Sequence, residues 1–251
     1  MYVLVPKTIG DGLLLPGTIP AVDTAAGEVA WVAGQAVSIG VERVYGQSIY
    51  KCAAVPINLS ITPDLDAIGW TEMRPSNRYA PFDTYVQTAQ VGRKGSLVYV
   101  IKAPFVDGLA LHGLIGKRLQ ITVTDGIGGA NLIPPIDTRL NLPRVGMWQY
   151  FFGERTPIKS FRLERIPSKS TTVVTITVSA DANQLVGIGW MAVGNWAEFG
   201  MLSVNARSGT QLGASAEIVN YTFRKEFEDG TFRQVSRGSA VNLTLNVKID
   251  A

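Results

Sequence analysis

The sequence predicts an all-β protein, with a β-sandwich or jelly roll at its centre, a small β-rich module before it and a strand or hairpin extension after it. Three observations carry that prediction. Short runs rich in Val, Ile, Thr and Tyr are punctuated along the whole length by 26 Gly and 13 Pro, the residues of turns. Several runs alternate apolar and polar with a period of two. No long segment has the 3.6-residue period of a helix.

The first residues, Met1-Tyr2-Val3-Leu4-Val5-Pro6-Lys7, lack a basic stretch followed by an apolar one. No signal peptide is expected, and synthesis in a cytoplasm is. The apolar stretch Gly12-Leu13-Leu14-Leu15-Pro16-Gly17 is too short to span a bilayer, so no membrane insertion is expected. Leu97-Val98-Tyr99-Val100-Ile101 is continuously apolar and predicts a strand buried on both faces. Leu119, Ile121 and Val123 alternate with polar residues, as do Val174, Ile176 and Val178. Val241, Leu243, Leu245, Val247 and Ile249 repeat the pattern at the end of the chain. Each such run places one face on a core and one outward. Asp125-Gly126 ends a strand, and Asp229-Gly230 marks a hairpin turn. Soft boundaries near Ile61-Thr62-Pro63-Asp64 and near Gly200 divide the chain into expected modules at 1–69, 70–200 and 201–251.

Apolar residues make up 46% of the 251, enough for a sizeable core, and the 17% charged fraction suits a chain that covers much surface with partner subunits. The net charge is +3, with cations no denser than the pairs Arg93-Lys94, Lys117-Arg118 and Arg224-Lys225. That pattern argues against a nucleic-acid-binding stripe, which needs clustered cations to displace condensed counterions. Cys52 is the only cysteine, which rules out an internal disulfide and favours a small buried hydrophobe over an intermolecular bridge.

The catalytic inventory is sparse. Any Ser-His-Asp or Cys-His site would need His112, the sole histidine, which sits among apolar residues with no nucleophile elbow in the chain. One His and one Cys do not make a zinc site, so no metal and no cofactor is expected. Asp64 and Asp66, or Glu226, Glu228 and Asp229, are carboxylates that a glycosidase would need in pairs, and they stand in turn-like contexts. The loop from Thr124 to Asn131 has too few carboxylates for a calcium site. Gly187-Ile188-Gly189 lacks the third glycine and the helix of a dinucleotide loop, and fits a buried strand. No catalytic residue is assigned, and the chain is expected not to be an enzyme.

Trp31, Tyr45, Tyr50 and Trp70 punctuate the first part of the chain. Aromatic rings serve as core packing, as interface anchors or, when exposed, as platforms for sugar faces. The segments Trp31-Val32-Ala33-Gly34-Gln35-Ala36-Val37 and Tyr45-Gly46-Gln47-Ser48-Ile49-Tyr50-Lys51-Cys52, closed by Trp70, resemble a small chitin-binding-type module. Gln35 stands where that pattern has an acidic residue.

The run Trp70-Thr71-Glu72-Met73-Arg74-Pro75-Ser76-Asn77-Arg78-Tyr79-Ala80-Pro81-Phe82-Asp83 resembles a motif of bacteriophage tail proteins. Within it Asn77, Arg78, Phe82 and Asp83 read as a domain-opening motif. Pro75-Ser76-Asn77 is expected to turn, Phe82 to plug the core, and Arg78 and Asp83 to tie the loop by a charge-assisted hydrogen bond. A third stretch, from Val186-Gly187-Ile188-Gly189 through Gly213-Ala214-Ser215-Ala216-Glu217-Ile218 to Arg237, is also similar to tail proteins, whose central domains resemble discoidin-like or carbohydrate-binding jelly rolls.

The resemblance implies a structural component of a virion, assembled in the host cytoplasm as a symmetric homo-oligomer among other tail or baseplate proteins. It implies, as the alternative, a module that adsorbs to host-surface polysaccharide, and more remotely a glycan hydrolase.

Overall fold

The computed structural model describes residues 2–55, 58–83, 91–142, 146–153 and 157–198, and six strands between residues 209 and 248. The chain divides into two compact units, Leu4–Trp196 and Met1–Val3 with Ala197–Ala251. Strands dominate both, and the one α-helix among the described residues has six residues.

In chain order, the strands up to residue 198 are β1 (Tyr2–Pro6), β2 (Leu14–Leu15), β3 (Glu42–Tyr45), β4 (Ser48–Cys52), β5 (Trp70–Pro75), β6 (Val91–Lys94) and β7 (Ser96–Lys102). They continue with β8 (Gly108–His112), β9 (Arg118–Asp125), β10 (Ile136–Arg139), then helix α1 (Met147–Phe152), β11 (Ser160–Leu163), β12 (Thr172–Ser179), β13 (Leu185–Ile188) and β14 (Trp190–Glu198). One sheet has the order β1-β14-β8-β11 and another the order β10-β9-β12-β7-β2. Strands β13 and β6 pair separately, and β3-β4-β5 form a small sheet of their own.

The two larger sheets share one core, in a sandwich-like arrangement. Leu109 and Leu111 of β8 and Met191 and Val193 of β14 join Ile101, Leu119, Ile121, Val174 and Ile176 from the other sheet. All are at most 1% exposed, and each such side chain stabilises the fold by roughly 2 kcal/mol. The alternation of β9 and β12 is realised residue for residue: Leu119, Ile121, Val123, Val174, Ile176 and Val178 are fully buried. The antiparallel register sets Ile121 opposite Ile176 and Val123 opposite Val174.

β7 departs from expectation. Leu97, Tyr99 and Ile101 are buried, but Val98 and Val100 between them are only half-buried. The strand therefore has one core face and one partly covered face. Its outward valines are compatible with either environment, which is why their apolar character misleads.

The second unit contains β15 (Gly209–Thr210), β16 (Ser215–Asn220), β17 (Phe223–Glu226), β18 (Phe232–Val235), β19 (Ser239–Thr244) and β20 (Val247–Lys248). The pairs β15–β20, β16–β19 and β17–β18 are antiparallel and nest one inside the next, as in a single long hairpin. The expected turn at Asp229-Gly230 lies outside the described residues, between the paired strands β17 and β18.

Candidate functional site

The aromatic residues of the first part form a small core. Trp70, which the sequence divides off as the start of the second module, opens β5 and pairs with Cys52 of β4 in the three-stranded sheet. It is 3% exposed and packs with Val37 and Cys52, over which Trp31, Val41 and Tyr50 close. Trp31 meets Tyr45 edge-on, with ring centroids 5.4 Å apart. Trp31, Tyr45 and Tyr50 are half-buried, with Trp31 and Tyr50 packed on the small core and Tyr45 edge-on to Trp31. Burial, with the charges of Glu72 and Asp64, pushes the Tyr50 hydroxyl above its ordinary value. Cys52 is buried and free, its thiol donating to the carbonyl of Ala54 at 3.2 Å.

The domain-opening motif is a structural hub. A turn follows β5, with Tyr79 N and Ala80 N donating to Ser76 O. Asn77 Nδ2 donates to Asp23 Oδ2 at 2.5 Å, and Asn77 N donates to Glu28 Oε1 at 2.6 Å. Asp23 Oδ1 also receives Arg93 Nη2 at 2.5 Å, while Glu28 Oε2 accepts from Asp23 N at 2.7 Å. Asp23 is 1% exposed. Burial pushes its carboxyl up, but the bonds from Arg93 and Asn77 and the guanidinium charge outweigh that and hold it below the usual carboxylate value.

Arg78 and Asp83, joined in the sequence-based expectation, each have another tie. Arg78 Nη2 donates to Leu14 O and Leu15 O, at 2.8 and 3.1 Å. The Asp83 carbonyl accepts the indole N–H of Trp190 at 2.9 Å. Phe82 packs against the main core, edge-on to Tyr99, whose hydroxyl donates to Arg78 O. Among the motif residues, Asn77 and Arg78 thus clamp backbone and buried carboxylates together, which is a folding task rather than a chemical one.

Of the carboxylates considered for glycan cleavage, only Asp64 and Asp66 have described side chains. Asp66 Oδ1 caps a turn by accepting from Gly69 N, Asp64 is exposed, and Glu226, Glu228 and Asp229 carry no described side chain. Asp125, in the glycine loop, accepts from Lys169 and Thr171. Among the described residues no group of three or more His, Cys, Asp or Glu is placed to hold a metal. Among the described residues no helix is long and apolar enough to cross a membrane.

Three surfaces are distinctive. Helix α1 exposes Met147, Trp148, Phe151 and Phe152, each at 66% or more, with Trp148 and Phe152 rings 4.5 Å apart. The ribbon formed by β16 and β19 exposes Ile218 at 71%. A cleft of about 480 Å³ opens where the residues after β1, the β3–β4 turn, the end of β5, the Tyr79–Asp83 segment and the start of β14 converge.

No protein-family model, curated protein or solved structure matches the chain.

Proposed function

We propose that this chain is a structural subunit of a bacteriophage virion, in the tail tip or baseplate, acting by assembly rather than catalysis and present in several symmetric copies. The observation that carries this is the ribbon of the second unit. Its register sets Ala216 opposite Leu243 and Ile218 opposite Val241, alternating with Ser215–Thr244 and Glu217–Asn242. The alternation holds over those four pairs and reverses at Val219–Ala240 and Asn220–Ser239, and Ile218 stands exposed with no third strand beside it among the described residues. An isolated two-stranded ribbon is marginal in water, and docking on a partner surface would stabilise it.

Two further observations support the reading. Exposed clustered aromatics such as those of α1 mark interaction surfaces on soluble proteins. The strand order supports a jelly roll. Counting β1, β7, β8, β9, β10, β11, β12 and β14 as first to eighth, one sheet runs first, eighth, third, sixth and the other fifth, fourth, seventh, second, with the two-residue β2 added at the edge beside the second. The small sheet β3-β4-β5 is then inserted between the first two strands of the roll, and its aromatic core supports reading residues 1–69 as an N-terminal module.

The test is incorporation into particles. A tagged full-length chain and a chain ending at Arg237 are supplied during infection, and purified particles are imaged with label against the tag. Full-length protein is expected at the tail tip or baseplate, and the shortened chain is expected to be absent. Equal incorporation of both ends the ribbon-docking role, and absence of the full-length chain from particles ends the virion assignment.

A further inference from the structure

The geometry points to a binding site for a neutral saccharide in the 480 Å³ cleft bordered by Thr8, Gln47, Phe82 and Trp190. A virion subunit and a free lectin would use this cleft in the same way, so the site stands apart from the assembly role.

Its size is that of a small-molecule site. Its floor is dry: Ile9, Tyr79, Met191 and Ala192 are all 5% exposed or less. Its rim is wet: Lys7, Thr8 and Gln47 are exposed, and Ser48 half so. Trp190 and Phe82 border it as half-buried rings. An aromatic wall over an apolar floor, edged by hydroxyl and amide groups, matches a sugar ring, with its C–H face and its girdle of hydroxyls.

The walls are held before any ligand arrives. The Trp190 indole N–H donates to Asp83 O, and the Trp190 ring packs on His112 with centroids 5.4 Å apart. Lys7 N donates to Val193 O at 2.7 Å, and Ser76 N donates to Gln47 O at 2.8 Å. The Tyr79 hydroxyl donates to Asp11. Five separated chain segments are thereby fixed around one space, which lowers the ordering cost of binding.

Charge narrows the ligand class. The lining includes one cation, Lys7, and one acid, Asp83. The Lys7 ammonium already donates to Pro104 O at 3.1 Å. Phosphorylated or polyanionic ligands call for several convergent cations, which this lining lacks. A wholly apolar ligand would strip water from Gln47 and Thr8 without replacing its hydrogen bonds. A neutral, hydroxyl-rich ring meets both conditions.

The experiment is an array of neutral oligosaccharides of glucose, galactose, mannose, rhamnose and N-acetylglucosamine probed with the full chain, followed by calorimetric titration of the best of them. Wild type is expected to bind at least one. Trp190→Ala and Gln47→Ala are expected to weaken that binding tenfold or more, and Trp148→Ala, on the exposed helix, to leave it unchanged. Gln47 is exposed and its backbone bonds survive substitution, so Gln47→Ala is expected to melt with wild type and separates a lost ligand contact from a lost fold. The site is overturned if wild type ignores every neutral saccharide at millimolar concentration, if it binds only acidic ones, or if Trp190→Ala and Gln47→Ala both bind as wild type does.

Discussion

Asp23 and Arg93 stand 70 residues apart in the sequence, and their side chains meet at 2.5 Å with the carboxylate almost wholly buried. Asn77 completes the arrangement on the other carboxylate oxygen. Removing one partner of such a group strands the others without water. Asp23→Ala and Arg93→Ala are each expected to cost about 2–3 kcal/mol, below the range for a fully buried pair because Arg93 keeps some solvent. Chemical denaturation of the double variant is expected to show much less than the sum of the two single losses.

The same carboxylate makes stability depend on acid. Its folded value lies below the ordinary 3.8, so the folded state holds fewer protons than the unfolded one around pH 4. The stabilisation is complete above that value and is lost as pH falls through the lower folded one. Stability measured between pH 2 and 5 should rise with pH, and Asp23→Asn should flatten the rise. Tyr79 acts at the other extreme. Burial, with the bond to Asp11, pushes its hydroxyl up to about 12, so stability should fall as pH climbs from 10 towards 12. Tyr79→Phe should reduce that alkaline loss without abolishing it, because burial also pushes up the hydroxyls of Tyr50 and Tyr99.

Gly194 of β14 lies against β1 so closely that a Cβ there would sit 1.9 Å from Val5 O. Backbone cannot yield as a flexible side chain can. Gly194→Ala is expected to cost about 3 kcal/mol, by overpacking that separates the two strands. Gly12→Ala, where a Cβ meets nothing within 4 Å, is expected to leave the melting temperature almost unchanged.

Ile218 offers a test of assembly that leaves the sandwich alone. Ile218→Glu adds a charge at an exposed position, so the thermal transition of Leu4–Trp196 should be unaffected. Sedimentation should show a lighter species than wild type, since the ribbon would bury the new charge on docking.

Cys52 is expected to resist a thiol reagent in native buffer and to react fully in denaturant. Burial, with the charge of Asp66, pushes the thiol above its ordinary value of 9.0 and disfavours the reactive thiolate. Rapid native labelling would mean that the small core opens readily.

The strands were legible in the sequence wherever a core imposed a strict period of two. Leu119, Ile121 and Val123 on β9 and Val174, Ile176 and Val178 on β12 face the core as their spacing predicts. The polar hub was only partly legible. Asn77 and Arg78 stood out in a motif, but their partners Asp23, Glu28, Leu14 and Leu15 lie 49 to 64 residues away, and no local pattern encodes such pairings. Trp70 was visible as a marker, while its burial depended on Val37 and Cys52 arriving from other strands. Helix α1 escaped notice because six residues are too few to display a helical period and Trp148, Phe151 and Phe152 face outward. The cleft was invisible for a related reason: its walls come from five segments that have no shared sequence signature.

The sandwich begins on β1 and ends on β14, and the two are neighbours in one sheet, with β8 on the far side of β14. The chain runs out of the sandwich from a strand that is flanked on both sides, not from a sheet edge. Mechanical tension drawn through the residues after Glu198 would therefore have to break two hydrogen-bonded ladders together.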